Sequence, residues 1–169
     1  AVAEGRADVG IFIAPSVEPS LDTRPYRVGE LAILVPQGHP LAQQPAHTFD
    51  ALLDFDIVGL HAGAAAHEQM LQRAQALGRP LKARMQVHGF DAIAQLVEAG
   101  LGVAVLPAVV AHRFAQVFRV QPLVLQEDWA QRQYLLAVRR QDVLPPPLQR
   151  FIDTLSPSTP PASATKGRA

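Results

Sequence analysis

Two apolar patterns alternate along the chain. Unbroken runs, "VGIFI" at 9–13, "ELAILVP" at 30–36, "DIVGL" at 56–60 and "GVAVLP" at 102–107, predict strands buried on both faces. "LKARMQV", 81–87, alternates apolar and polar positions and predicts a half-exposed strand, and "VFRVQPLVL" and "RQYLLAVRR" predict two more. Helical patterns lie between these runs. "TFDALLDF", 48–55, predicts one or two turns capped by Thr48. "AGAAAHEQMLQRAQALG" predicts a helix ending on Gly78, with Pro80 just beyond. Phe90, Ile93, Ala94 and Val97 stand at i, i+3, i+4 and i+7, the stripe of an amphipathic helix that stops at Gly100. "AVVAHRFAQ" predicts a short helix and "PPLQRFIDTL", 146–155, a final one with prolines in its first turn. "PSVEPSLDTRP" reads as a polar loop and "QGHPLAQQPAHTF" as turn-rich. The Ser/Pro/Ala-rich tail from Ser156 has no large apolar residue and is expected to be disordered. The alternation predicts α/β layers with largely parallel sheets.

Composition narrows the function classes. Hydrophobic residues make up 49%, and 15 basic residues balance 15 acidic ones. A chain without net positive charge lacks the footprint needed to grip nucleic acid by itself. The absence of cysteine excludes disulfides and thiolate metal sites. No apolar run approaches the roughly 18 residues that span a bilayer, and the N-terminus lacks a signal peptide's apolar region, so the sequence reads as cytoplasmic. It has no initiator Met and opens on what reads as the tail of a helix, so a fragment is expected.

Candidate chemistry is sparse. "GLG" at 100–102 has the glycines of a phosphate loop but the opposite order. A dinucleotide loop runs from strand to helix, whereas here a helix ends and a strand begins, which favours a packing corner. "HEQML" at 67–71 begins like a zinc-protease motif but has Leu71 where the second ligand belongs, and His61 and His67 are six apart, poor spacing for one helix face. No metal or cofactor is expected. Ser16, Ser20, Ser156, Ser158 and Ser163 form no arguable catalytic arrangement, and no enzymatic activity is expected. His61 follows a strand and precedes a helix. It is either a ligand contact, since parallel sheets bind beyond their strands' carboxyl ends, or an ordinary loop residue. The helix start at Ala62, Gly63, Ala64 and Ala65 is either an anion site or a plain tight turn. Arg24 and Arg27 are either solvated or set to face a carboxylate.

The ordered series "EGRADVGIFIAP", "ELAILVPQGHPLA", "FDIVGLHAG" and "LVEAGLGVAVLPA" resembles the effector-binding domain of LysR-type transcriptional regulators over roughly residues 1–155. The pair "VPxxHPLA" and "VxAGLGVAxLP" carries the resemblance; the glycine triplet alone would not. The resemblance implies a type 2 periplasmic-binding-protein-like α/β fold, with two lobes joined by crossover strands at 31–35 and 134–138. Lobe I would hold 1–36 and 135–155, lobe II 37–134, and the first strand-helix-strand of lobe I would be missing.

The resemblance also implies a small organic effector between the lobes, with contacts from Ile13, Ala14 and Pro15, from His61, Ala62, Gly63 and Ala64, and from Gly89 and Phe90, with Arg27 and Tyr134 as further contacts. Where the family often has a hydroxyl at the helix start, this chain has "HAGAAA", which leaves backbone N–H groups or His61 to make that contact and suits an anionic effector. The implied partners are this effector and further copies in a homo-oligomer, with DNA reached only through a winged helix-turn-helix absent from this chain and no membrane involved. Two other classes share the fold, a solute-binding protein of a transport system and an enzyme. A secretion signal in the complete gene would favour the first, and turnover of a small acid the second.

Overall fold

The computed structural model describes residues 1–13, 19–61, 65–140 and 145–155. The strands are β1 (Val9–Ile13), β2 (Leu21–Pro36), β3 (Ala46–His47), β4 (Ile57–Leu60), β5 (Ala83–Val87), β6 (Ala104–Pro107), β7 (Val120–Leu125) and β8 (Gln131–Arg139). The helices are α1 (Phe49–Leu52), α2 (Ala65–Ala76), α3 (Phe90–Glu98), α4 (Ala108–Phe114) and α5 (Pro146–Leu155). The chain divides into two compact units, Ala1–Val28 with Gln133–Ala169, and Gly29–Arg132. The resemblance implies the division at 36/37 and 134/135. It falls earlier on β2 because residues 31–35 are all buried and pair with β6 and β7 inside the second unit.

In the Gly29–Arg132 unit, β2 is antiparallel to both β6 and β7, and β3 is parallel to β7. β4 and β5 pair in parallel, and a parallel bridge between Ile57 and Val103 joins β4 to the entry of β6. The strands therefore follow the order β5-β4-β6-β2-β7-β3, all parallel except β2. Adjacent β2 residues point to opposite faces. Leu31, Ile33 and Val35 pack with Phe49, Leu52, Ile57, Met70 and Trp129 on the α1 and α2 face. Ala32 and Leu34 pack with Val58, Ile93, Ala94, Val97 and Ala111 on the α3 and α4 face. Burial on both sides explains why the run shows no alternation. Each fully buried Leu, Ile or Val contributes about 1.5–3 kcal/mol.

The other unit departs from the parallel expectation. β1 is antiparallel to β8 from Val9↔Val138 to Ile13↔Tyr134, and β8 neighbours β2. Leu136, Val138 and Ile152 of α5 form its small core, with Tyr26 against them. β2 begins at Leu21, so part of the expected loop "PSVEPSLDTRP" is strand. Its alternating burial there, with Leu21, Thr23 and Tyr26 the less exposed positions, replaces the apolar run that signals its second half. Residues 1–6 form turns rather than helix, with Gly5 N–H donating to the Val2 carbonyl. The tail from Ser156 lies outside the described residues.

Caps set the corners. α3 ends in a Schellman motif: Gly100 N–H donates to the Val97 carbonyl at 2.9 Å and Leu101 N–H to the Leu96 carbonyl at 3.1 Å, with Gly100 at φ 75°. Gly78 at φ 66° ends α2 in the same way, through Gly78 N–H to Gln75 and Arg79 N–H to Ala74. Thr48 makes no side-chain cap at α1. Phe49 N–H instead donates to Glu127 Oε1 at 2.7 Å, and Glu127 Oε2 accepts from Trp129 Nε1 at 3.1 Å. The "HPLA" segment is a 3-10 turn in which His39 Nδ1 accepts from Leu41 N–H at 3.3 Å and His47 Nε2 lies 2.7 Å from the Leu41 carbonyl.

At Gly102 a Cβ would stand 2.5 Å from the Asp56 carbonyl oxygen. Replacement by alanine is expected to lower stability by about 2–3 kcal/mol, because the obstacle is backbone. Gly100→Ala, in open space but at positive φ, is expected to cost only about 1 kcal/mol. Denaturant unfolding midpoints check the ranking. Burial lowers the pKa of His39 below its ordinary value. The unfolded chain therefore takes up the proton first, so His39's penalty is absent above about pH 6.5 and grows as pH falls through the lowered folded value. Thermal melts across that window should show a smaller acid-induced drop for His39→Asn than for the parent chain.

Candidate functional site

Every strand of the Gly29–Arg132 unit except β2 ends at one edge, and β2 enters the unit there. Ligands of parallel α/β sheets bind beyond such an edge. Here β4 delivers His61 and β5 delivers His88. Leu60 and Val87 are paired in register, and His61 N–H donates to the Val87 carbonyl at 3.2 Å, so the ladder continues to the point where both side chains leave the sheet. The two imidazoles stack with ring centroids 5.0 Å apart and planes 29° apart. Both residues are exposed.

His88 leads directly into α3. Gly89 is its N-cap, in extended conformation, with no side-chain cap hydrogen bond. Asp91 sits in the first turn, and its Oδ1 would lie 3.0 Å from a Cβ at position 89. Phe90 is half-buried and packs against the Ile93, Ala94 and Val97 side of the core. Its ring thus gives part of its surface to the fold.

The structure brings together His61, Gly89 and Phe90 from the expected set, at the carboxyl ends of β4 and β5. Ile13 ends β1 opposite Tyr134 of β8, and Arg27 is exposed on β2 with its guanidinium 5.3 Å from the Tyr26 ring centre. These three belong to the other unit. Ala14, Pro15, Ala62, Gly63 and Ala64 lie outside the described residues. Sequence reasoning missed His88. It follows an alternating strand and carries no motif, and only the β4–β5 register reveals that it stands beside His61. The one available signal was its place just before a helix start, the same argument applied to His61.

A concavity of about 570 Å³ lies elsewhere in the same unit, against the middle of β2, the end of β7 and one side of α4. Val124 and Ala108 are among its apolar lining, with Glu30, Asp128 and His112 among its polar lining. Glu127, also there, is already engaged by Phe49 and Trp129. Among the described residues no helix is long and apolar enough to cross a membrane.

An α/β unit of this topology fits the type 2 periplasmic-binding-protein-like fold class. The LysR substrate binding domain matches residues 1–159, and the chain belongs to that family. A probable RuBisCO transcriptional regulator of Trichormus variabilis is 29% identical over 109 residues, covering 61% of this chain and 32% of that protein. The homologous protein of Synechocystis is 28% identical over 109 residues, with the same coverage. The chain thus spans about a third of the length of the curated relatives it matches.

Among solved structures, the Synechocystis CcmR regulatory domain in complex with 2-PG superposes with TM-score 0.76 at 21% identity, covering 91% of this chain and 74% of that one. The effector-binding domain of QuiR with shikimate gives 0.74 at 20% identity, covering 91% and 72%. The BenM effector-binding domain with benzoate gives 0.72 at 22%, covering 91% and 70%. At these identities the structures establish the fold.

Proposed function

We propose that the chain is the effector-sensing domain of a bacterial LysR-type transcriptional regulator, and that it binds a small organic acid. The observation that carries this reading is the family match over residues 1–159. Shikimate and benzoate, bound by QuiR and BenM, are carboxylates, which supports an anionic effector here. The contacts proposed for it are His61, Gly89 and Phe90 at the sheet edge, together with backbone N–H groups of 62–64. Ile13, Ala14, Pro15, Arg27 and Tyr134 are proposed on the family resemblance alone.

Regulation would work through populations. An effector with unequal affinity for two states of the regulator shifts their ratio by that inequality and no more. DNA would be read by a winged helix-turn-helix elsewhere in the protein, which acts as a cytoplasmic homo-oligomer. No catalytic step is needed, because differential binding energy does the regulatory work.

A thermal-shift panel of small carboxylic and phosphorylated acids tests the proposal. At least one acid should raise the midpoint in a saturable way, and His61→Ala should weaken its binding about tenfold, the loss expected for one charge-assisted hydrogen bond. A panel without any saturable shift in the intact regulator, or a binder indifferent to His61, would overturn the assignment of this edge.

A further inference from the structure

We propose that His61 and His88 form a chelating pair for a divalent transition-metal ion, an open site on the Gly29–Arg132 unit. This goes beyond the effector reading and does not depend on it, since both ligands come from one unit and no organic acid is required.

The geometry points to it. Two imidazoles sharing one ion, with metal–nitrogen distances of about 2.1 Å and an angle between 90° and 120°, hold their ring centres roughly 4.5–5.5 Å apart. The His61 and His88 centroids are 5.0 Å apart. Paired strands set the two backbones side by side, because both residues directly follow the in-register Leu60 and Val87. The rings now lie nearly parallel, so their lone pairs must turn inward. Both residues are exposed, and such rotamer changes are cheap where nothing packs. Among the described residues neither ring has a hydrogen bond or ion pair to give up.

A carboxylate stands close by. Asp91 Oδ1 lies against Gly89, the residue next to His88, and the Asp91 carboxylate offsets the positive end of α3. A cation entering there would not be repelled. A spacing of six residues and Leu71 in the place of a second ligand exclude His61 and His67 as joint ligands, whereas the fold pairs His61 with His88 from the next strand.

Among the described residues no group of three or more His, Cys, Asp or Glu is placed to hold an ion. The pair would therefore supply two nitrogens and leave the other positions to water or an exogenous carboxylate. Imidazole nitrogen suits Cu²⁺, Ni²⁺ and Zn²⁺, with Cu²⁺ bound most tightly.

Isothermal titration of the full chain with Cu²⁺ and Zn²⁺, without any organic acid, tests this. One ion should bind per chain, Cu²⁺ the tighter. Losing one arm of a chelate should weaken binding about a hundredfold in His61→Ala and equally in His88→Ala. His112→Ala, on α4, should bind like the parent chain. Electron paramagnetic resonance of the Cu²⁺ form should show coupling to two imidazole nitrogens, reduced to one in either variant. His61→Gln and His88→Gln, with metal-free melts compared to the parent, separate lost ligation from lost fold. Parent-like affinity in both site variants, or a comparable loss in His112→Ala, would overturn the site. A chain that binds Cu²⁺ here but no organic acid would leave the metal site standing and remove the acid-binding reading alone.

Discussion

The sheet of the Gly29–Arg132 unit depends on a close backbone approach at Gly102. Val103 N–H donates to the Asp56 carbonyl and Val58 N–H to the Val103 carbonyl, both at 2.9 Å. Those two bonds join the β4–β5 pair to the strands around β2. A side chain at 102 would sit where the Asp56 carbonyl already is. Without this junction, the carboxyl ends of β4 and β5 would have no fixed place beside β6, and the histidines they carry would not belong to a common edge. The Schellman turn at Gly100 aims the chain into the junction, and Gly102 lets it arrive. A motif that looks like a phosphate loop is therefore a carpentry joint between two halves of a sheet.

Much of this fold is legible in local pattern because the elements are locally consistent. The α3 stripe of Phe90, Ile93, Ala94 and Val97 faces the core, and Gly78 and Gly100 close their helices. What local pattern could not show were partners far away in sequence. Thr48 looked like a cap, but Glu127 reaches α1 from beyond β7 and satisfies Phe49 N–H. The first half of β2 was hidden because polar residues and Pro25 read as a loop. It is the pairing of that segment in the smaller unit that makes it strand.

The candidate site shows the same limit more sharply. His61 could be singled out by its position after a strand. His88 could not, because its significance is relational: it arises only when two parallel strands are set side by side in one register. Residue chemistry at an edge is written partly in strand pairing, which no single stretch of sequence contains. The same holds for the acidic residues. Asp91 matters through its closeness to Gly89, and Glu127 through its two distant donors.

β2 has a consequence in time as well as in space. It is the central strand, and its partners are Leu31↔Pro107 on one side and Ala32↔Val124 on the other. A chain emerging from the ribosome exposes the apolar run 31–35 long before either partner exists. Closing such distant contacts is slow, because the loop entropy comes due before the pairing rewards it. Until then the run is an unpaired, two-faced hydrophobic strand, the kind of segment that associates with other chains. The design that buries β2 most deeply in the finished sheet also leaves it, during synthesis, the segment most in need of protection.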